Sequence, residues 1–250
     1  PHATRGFTYS VVHAGHAFSN LPSYPYGERG AGRPRRTSAL HDLLAKAGAV
    51  FGVRNGWEVP NWFAKDGVEG KEKLGFCRPN WFDTVGEECR RAAEGVGVLD
   101  LSYASKFEIV GPGSMEALDR AFACRVPRSD GQVVYGPMLT AKGGIATCMT
   151  IVRMAADRFI LIGPGEYETR DFDDLWRRLP GDGSVRATNV SGHFALLVVT
   201  GARARDAIGA CAKADLYSGF NINTFAENAA HSIALGFAPT TVIRQDMSGL

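Results

Sequence analysis

Residues 132–154 read "QVVYGPMLTAKGGIATCMTIVRM", two strand-like runs around the glycine pair Gly143-Gly144. β-branched and aromatic residues on either side of a tight turn predict an antiparallel hairpin. A hairpin inside a helix-rich chain argues against a doubly wound parallel sheet and for an α+β fold. In the second run, where residues alternate between faces, Cys148 stands between Thr147 and Met149. Three readings of that thiol stay open: a small core filler, a reactive thiolate, or a replacement for another functional group.

The rest of the chain fits the same class. Residues 1–36 are rich in Gly, Pro, Tyr and Ser and predict an extended connector. Ser38 precedes "ALHDLLAKAGAVFG", with Leu40, Leu43, Leu44 and Ala47 at helical spacing and Gly48 as the stop. "NGWEVPNWFA" predicts a loop whose aromatics cap a core. From Trp81 onward helix and strand alternate. "WFDTVGEECRRAAEG" is an amphipathic helix, "KFEIVGPG" a short strand, and "SMEALDRAFA" a helix with Ser114 as its N-cap. "DRFILIG" predicts a strand, "GEYETRDFDDLWRRL" a helix, "SVRATNVSGHFALLVVTG" two strands and "ARARDAIGAC" a helix. "AHSIALGFAPTTVIRQD" predicts a final strand pair.

Composition narrows the function classes. A length of 250 residues, 45% apolar and 22% charged, suits a globular chain with a sizeable core. The net charge of +2 is dispersed apart from "GRPRR" at residues 32–36, which gives no case for nucleic acid. No apolar run reaches the roughly 18 residues of a membrane span. Five cysteines without a CxxC pair point away from a disulfide framework or zinc site and toward a reducing compartment. The pair His13 and His16 in "HAGH" is expected on a polar N-terminal surface loop, and no metal site is expected. There is no GxGxxG after a strand and no phosphate loop. The chain starts at Pro1 and stops at "RQDMSGL", which reads as a fragment of a longer polypeptide.

Four stretches carry a family resemblance: "RPRRTSALHDLLAKAGAVFGVRNGWEVPNWF", "WFDTVGEECRRAAEGVGVLDLSYASKFEIVGPG", "VVYGPMLTAKGGI" and "LGFAPTTVIR". Together they resemble the folate-binding half of dimethylglycine and sarcosine dehydrogenases, which is similar to the glycine-cleavage T-protein, an aminomethyltransferase. The resemblance implies a T-protein-like α+β fold of mixed and antiparallel sheets with helices, in lobes around a hole that binds tetrahydrofolate. It implies that residues 1–62 end an FAD-dependent oxidoreductase central domain. Residues 63–250 would then be the aminomethyltransferase domain, truncated at its C-terminus. Its cofactors would be tetrahydrofolate here and FAD in an upstream flavin domain. Its partners would be a small methylated amine, folate and that flavin domain, with no nucleic acid or membrane. The implied location is the bacterial cytoplasm or the mitochondrial matrix.

In this family a carboxylate follows the Gly-Gly turn in a pattern like "GGhxxDLxV", and Cys148 falls on its place. By the same matching Tyr135, Thr150 and Ile162 line the folate pocket, and Arg244 takes the place of a strand arginine. The family's folate-holding Glu would lie past Leu250. An unperturbed thiol titrates near ~8.5 against ~3.9 for Asp, so at neutral pH it is mostly uncharged. It is also a weak acceptor. The resemblance therefore leaves three functional readings: a folate enzyme with weak one-carbon transfer, a non-catalytic regulatory or scaffold module, or a folate-dependent demethylase of another substrate. Asp100 in "VLDLS" is expected to brace a turn.

Overall fold

The computed structural model describes residues 4–20, 27–65, 67–73, 75–212 and 219–245. The chain opens with α1 (Arg5–Ser19), where Thr4 Oγ1 accepts from Phe7 N at 3.2 Å as N-cap. This corrects the expected extended connector and places His13 and His16 on an exposed helix, not a loop. Helix α2 (His41–Lys46) is shorter than its apolar periodicity suggested. The expected stop holds: Gly48, at φ 88°, follows the C-cap Ala47, and β1 (Ala49–Arg54) starts directly after it.

Strand β1 pairs antiparallel with β2 (Trp57–Phe63). The turn is Asn55-Gly56, with φ of 55° and 80°. Two successive positive φ values match the right-handed twist of the strands they join, and Asn-Gly is the pair that adopts them most easily. The expected aromatic loop is thus a hairpin. Its Trp57 and Trp62 are buried, at 6% and 1% exposure.

Helix α3 (Phe82–Glu94) leads into the short β3 (Gly97–Asp100). Then come β4 (Ser105–Val110), α4 (Ser114–Ala121), β5 (Val133–Leu139), β6 (Ile145–Ala155) and β7 (Arg158–Gly163). Helix α5 (Glu168–Arg178), β8 (Arg186–Asn189), β9 (Leu197–Thr200), α6 (Ala204–Ala212), β10 (Ala229–Leu235) and β11 (Ala238–Arg244) complete the described order. Gly113, at φ 85°, is the N-cap of α4, so Ser114 lies inside the helix and not at its cap. The predicted hairpins form: β5 with β6 around Gly143, and β10 with β11.

Five strands make one antiparallel sheet in the order β5-β6-β7-β4-β8. Pro137 is tolerated because β5 is at the edge, where a missing N–H breaks no ladder. One face packs on α4 and α5. Phe107, Ile109, Met138, Met149, Ile151, Phe159 and Leu161 from the strands meet Leu118 and Leu175 from the helices in the main core. Alternation along each strand then sends the intervening residues to the opposite face.

Candidate functional site

Register determines which residues share that second face. Tyr135 on β5 stands opposite Thr150 on β6, Thr150 opposite Ile162 on β7, and Ile162 opposite Lys106 on β4. Tyr135, Thr150 and Ile162, matched to the site from separate parts of the sequence, thus form one cross-strand row. Neighbours in such a row lie about 5 Å apart. Cys148 is two residues before Thr150 and points the same way, opposite Pro137. Its neighbours Thr147 and Met149 face the other side, where Met149 is wholly buried in the core. Cys148 is half-buried and lies outside the core cluster.

The face combines an exposed aromatic with covered neighbours. Tyr135 is 60% exposed, whereas Thr150 is buried and Ile162 half-buried. Burial, and then contact with the Cys148 thiol, push the Tyr135 hydroxyl above its ordinary pKa, so it stays a neutral hydrogen-bonding group. Thr150 Oγ1 donates to Gln245 Oε1 at 3.0 Å, which brings the residue after β11 onto the face. Sequence matching missed Gln245; its only sequence signal was that it follows Arg244 at the end of a predicted strand.

Arg244 does not join the row. Its guanidinium donates to Phe225 O and Glu227 Oε1, so it braces the 225–227 loop. Of these two neighbours it is Gln245, not Arg244, that bonds to the row, through Thr150. Asp100 braces a turn as expected, accepting from Ser102 N at 3.0 Å and from Ser38 Oγ.

At the far end of the row Lys106 is buried at 3% exposure. Its Nζ donates to Ser102 O and Ala104 O, each at 2.9 Å. Burial lowers its pKa to about 8, opposed by the charges of Glu168 and Asp100 and assisted by that of Arg36. Gly165, just past β7, is packed so closely that a Cβ there would lie 2.1 Å from Tyr103 O. The turn that Lys106 holds is therefore pressed against the end of the strand that carries Ile162.

Chemically, the row offers an aromatic ring, two aliphatic surfaces, a hydroxyl, a thiol and an amide. Among the described residues it carries no carboxylate beside Tyr135 and Thr150. Such a wall suits a flat, weakly polar heterocycle, with a few polar groups to orient it. A cleft of about 440 Å³ lies elsewhere, between the ends of α4 and α5 and residues 139–141. There Arg178 is committed to Leu139 O and Asp174, which ties a helix end to β5. Among the described residues no group of His, Cys, Asp and Glu could hold a metal ion, and no helix is long and apolar enough to cross a membrane.

Comparison with known proteins gives a consistent picture. Residues 40–249 match the model of the GCVT N-terminal domain family. The chain is 32% identical over 248 residues to dimethylglycine dehydrogenase, mitochondrial, of Mus musculus, covering 98% of this chain and 28% of that protein. It is 31% identical over 182 residues to the pyruvate dehydrogenase phosphatase regulatory subunit, mitochondrial, of the same organism, covering 71% of this chain and 21% of that one. Among solved structures it resembles the glycine cleavage system aminomethyltransferase T from Bartonella henselae, with a TM-score of 0.63 and 22% identity. That match covers 80% of this chain and 48% of the other, and it supports the fold.

Proposed function

The chain belongs to the family of GCVT N-terminal domains, and from that premise we propose that it is a tetrahydrofolate-binding, one-carbon-transfer domain serving an FAD-linked N-methyl amine dehydrogenase. The observation that carries this reading is the convergence of Tyr135, Cys148, Thr150 and Ile162 on one sheet face away from the core. The amine, of the dimethylglycine or sarcosine type, and the flavin part belong to the longer protein, since the chain spans 28% of its mouse dehydrogenase relative. We assign residues 1–62 to the end of the oxidoreductase part and 63–250 to the folate part; the family match begins earlier, at residue 40, and leaves α1 outside it.

Tetrahydrofolate would supply the amine nitrogens that accept the one-carbon unit. The work of this chain is to bind and orient. The Tyr135 ring and Ile162 give the flat walls, Thr150 a hydroxyl, and Cys148 a thiol where the family pattern has a carboxylate. Positioning alone accounts for a large part of such a transfer. Losing a charged proton acceptor typically costs on the order of 10² to 10⁴ in rate. The domain is therefore read as a competent binder with slow transfer.

A test uses the full-length protein. Calorimetry is expected to show tetrahydrofolate binding that Tyr135→Ala weakens roughly tenfold. Cys148→Asp is expected to raise methylenetetrahydrofolate formation, followed by mass spectrometry, by about tenfold or more. Absence of tetrahydrofolate binding overturns the reading. A second reading, a regulatory module, is favoured by the missing carboxylate together with the similarity to a phosphatase regulatory subunit. Binding that Cys148→Asp does not convert into turnover would select it.

A further inference from the structure

We propose that Gln245 is a ligand-contacting residue of the pocket face, presenting its side-chain N–H groups to an acceptor atom of the heterocycle held beside Tyr135 and Thr150. This rests on the folate reading and adds to it a contact from the residue that follows β11.

The geometry starts at Thr150, in the middle of the cross-strand row. Its hydroxyl donates to Gln245 Oε1 at 3.0 Å, a link between residues 95 apart in the chain. An amide carries one acceptor oxygen and two N–H donors in a plane. With the oxygen engaged by Thr150, the amide plane is held and its nitrogen carries the remaining hydrogen-bonding capacity. No acceptor among the described residues takes those N–H groups, and Gln245 is half-buried, so they border the face and not bulk solvent alone. Arg244, one residue earlier, turns to Phe225 and Glu227. The two neighbours thus divide their roles: Arg244 fastens β11 to the 225–227 loop, and that anchoring delivers Gln245 to β6.

The remaining chemistry of the face explains why this amide would matter. Cys148 is a weak acceptor and weak donor, Ile162 has no polar atom, and Thr150 has spent its proton on Gln245. The Tyr135 hydroxyl contacts Cys148, and Lys106 at the far end of the row gives Nζ to Ser102 O and Ala104 O. The Gln245 amide is accordingly the uncommitted donor next to Thr150, in the middle of the row. Its complement on a ligand is an exocyclic oxygen or an unprotonated ring nitrogen, the acceptors that a pterin-like bicycle displays along one edge. A ligand of the same size but without acceptors would gain nothing from it.

The test compares Gln245→Ala and Gln245→Glu in the full-length protein by calorimetry with tetrahydrofolate, alongside thermal melts. Gln245→Glu keeps an oxygen for the Thr150 hydroxyl but removes both N–H donors. The expected result is a Kd raised about tenfold in Gln245→Ala and at least as much in Gln245→Glu, whose melting point stays at that of the wild type. A Gln245→Glu protein that binds as tightly as wild type overturns the proposal, because the amide then serves only to hold Thr150. If Gln245→Ala fails to fold, the near-isosteric Glu variant carries the decision. Wild-type protein that does not bind tetrahydrofolate overturns the folate reading and this inference together. Binding by wild type that neither variant weakens overturns the inference alone.

Discussion

Lys106 shows how a single buried group leaves a measurable trace. Two of its ammonium N–H groups donate to backbone carbonyls, but desolvation still brings its pKa down from 10.5 to about 8. Below pH 8 the lysine is protonated whether the chain is folded or not, so stability does not change with its titration there. Between about 8 and 10.5 the unfolded chain holds a proton that the folded chain has released, and stability rises with pH across that window. One pKa unit corresponds to about 1.4 kcal/mol, so the full rise is on the order of 3 kcal/mol. Urea titrations of wild type at pH 7.5 and 9.5 are expected to show part of this gain, and Lys106→Met is expected to remove it. Equal slopes with pH in the two proteins would mean that the lysine is solvated. Nothing in "SKFEIV" announced such a group: a lysine in a half-buried strand reads as solvent-facing until register places it beside Ile162.

Strand β6 is where adjacent residues have opposite duties, and thermodynamics should separate them. Met149 is fully buried among Met138, Ile151 and the α4–α5 side, so Met149→Ala removes core contacts and is expected to cost about 2 to 5 kcal/mol. Cys148, one residue earlier on the other face, is half-buried, and Cys148→Ala is expected to cost within about 1 kcal/mol. Urea denaturation of the two variants measures both, and comparable losses would show that the thiol is a core residue after all. The alternation behind this contrast was legible in the sequence, because "GGIATCMTIVR" sets a turn and then a period of two. The hairpins at Gly143 and at β10–β11 were legible for the same reason. The β1–β2 hairpin was not read, although Asn55-Gly56 is a strong turn signal; the aromatics and Pro60 around it resembled a loop. Helix α1 was legible but missed: Phe7, Val11, Ala14 and Phe18 recur at helical spacing and are half-buried, while the Gly, Pro, Tyr and Ser around them resembled a connector. Arg244 and Gln245 show the limit for the site. Sequence matching brings a strand toward this face, but which of two neighbouring side chains reaches Thr150 depends on register with distant partners.

At the scale of the whole molecule, polar links tie the first third of the described chain to α3, β3 and α5. Arg36 pairs with Glu168 at 3.2 Å and lies over the Trp57 ring, Ser38 donates to Asp100, and Phe63 N donates to Glu88 at 3.0 Å. These links are only as good as the β1–β2 hairpin that presents them, and Arg33 holds that hairpin. Its guanidinium binds the Glu58 carboxylate through two nitrogens, Glu28 through a third, and Phe51 O. The Glu58 side chain is 5% exposed and that of Arg33 20%, so solvent screens the pair little. Removing the cation leaves a buried carboxylate without its partner, a loss of about 3 to 5 kcal/mol where the structure cannot relax. Arg33→Met is therefore expected to open the hairpin locally, detected as faster tryptic cleavage between residues 29 and 54 while cleavage within 105–163 keeps its wild-type rate. Replacing both partners, as Arg33→Met with Glu58→Leu, removes the stranded charge and is expected to restore most of the protection. If the single variant resists trypsin as wild type does, the connector is held by the tryptophans and not by charge. If cleavage speeds up throughout the chain, the hairpin and the sheet unfold as one unit.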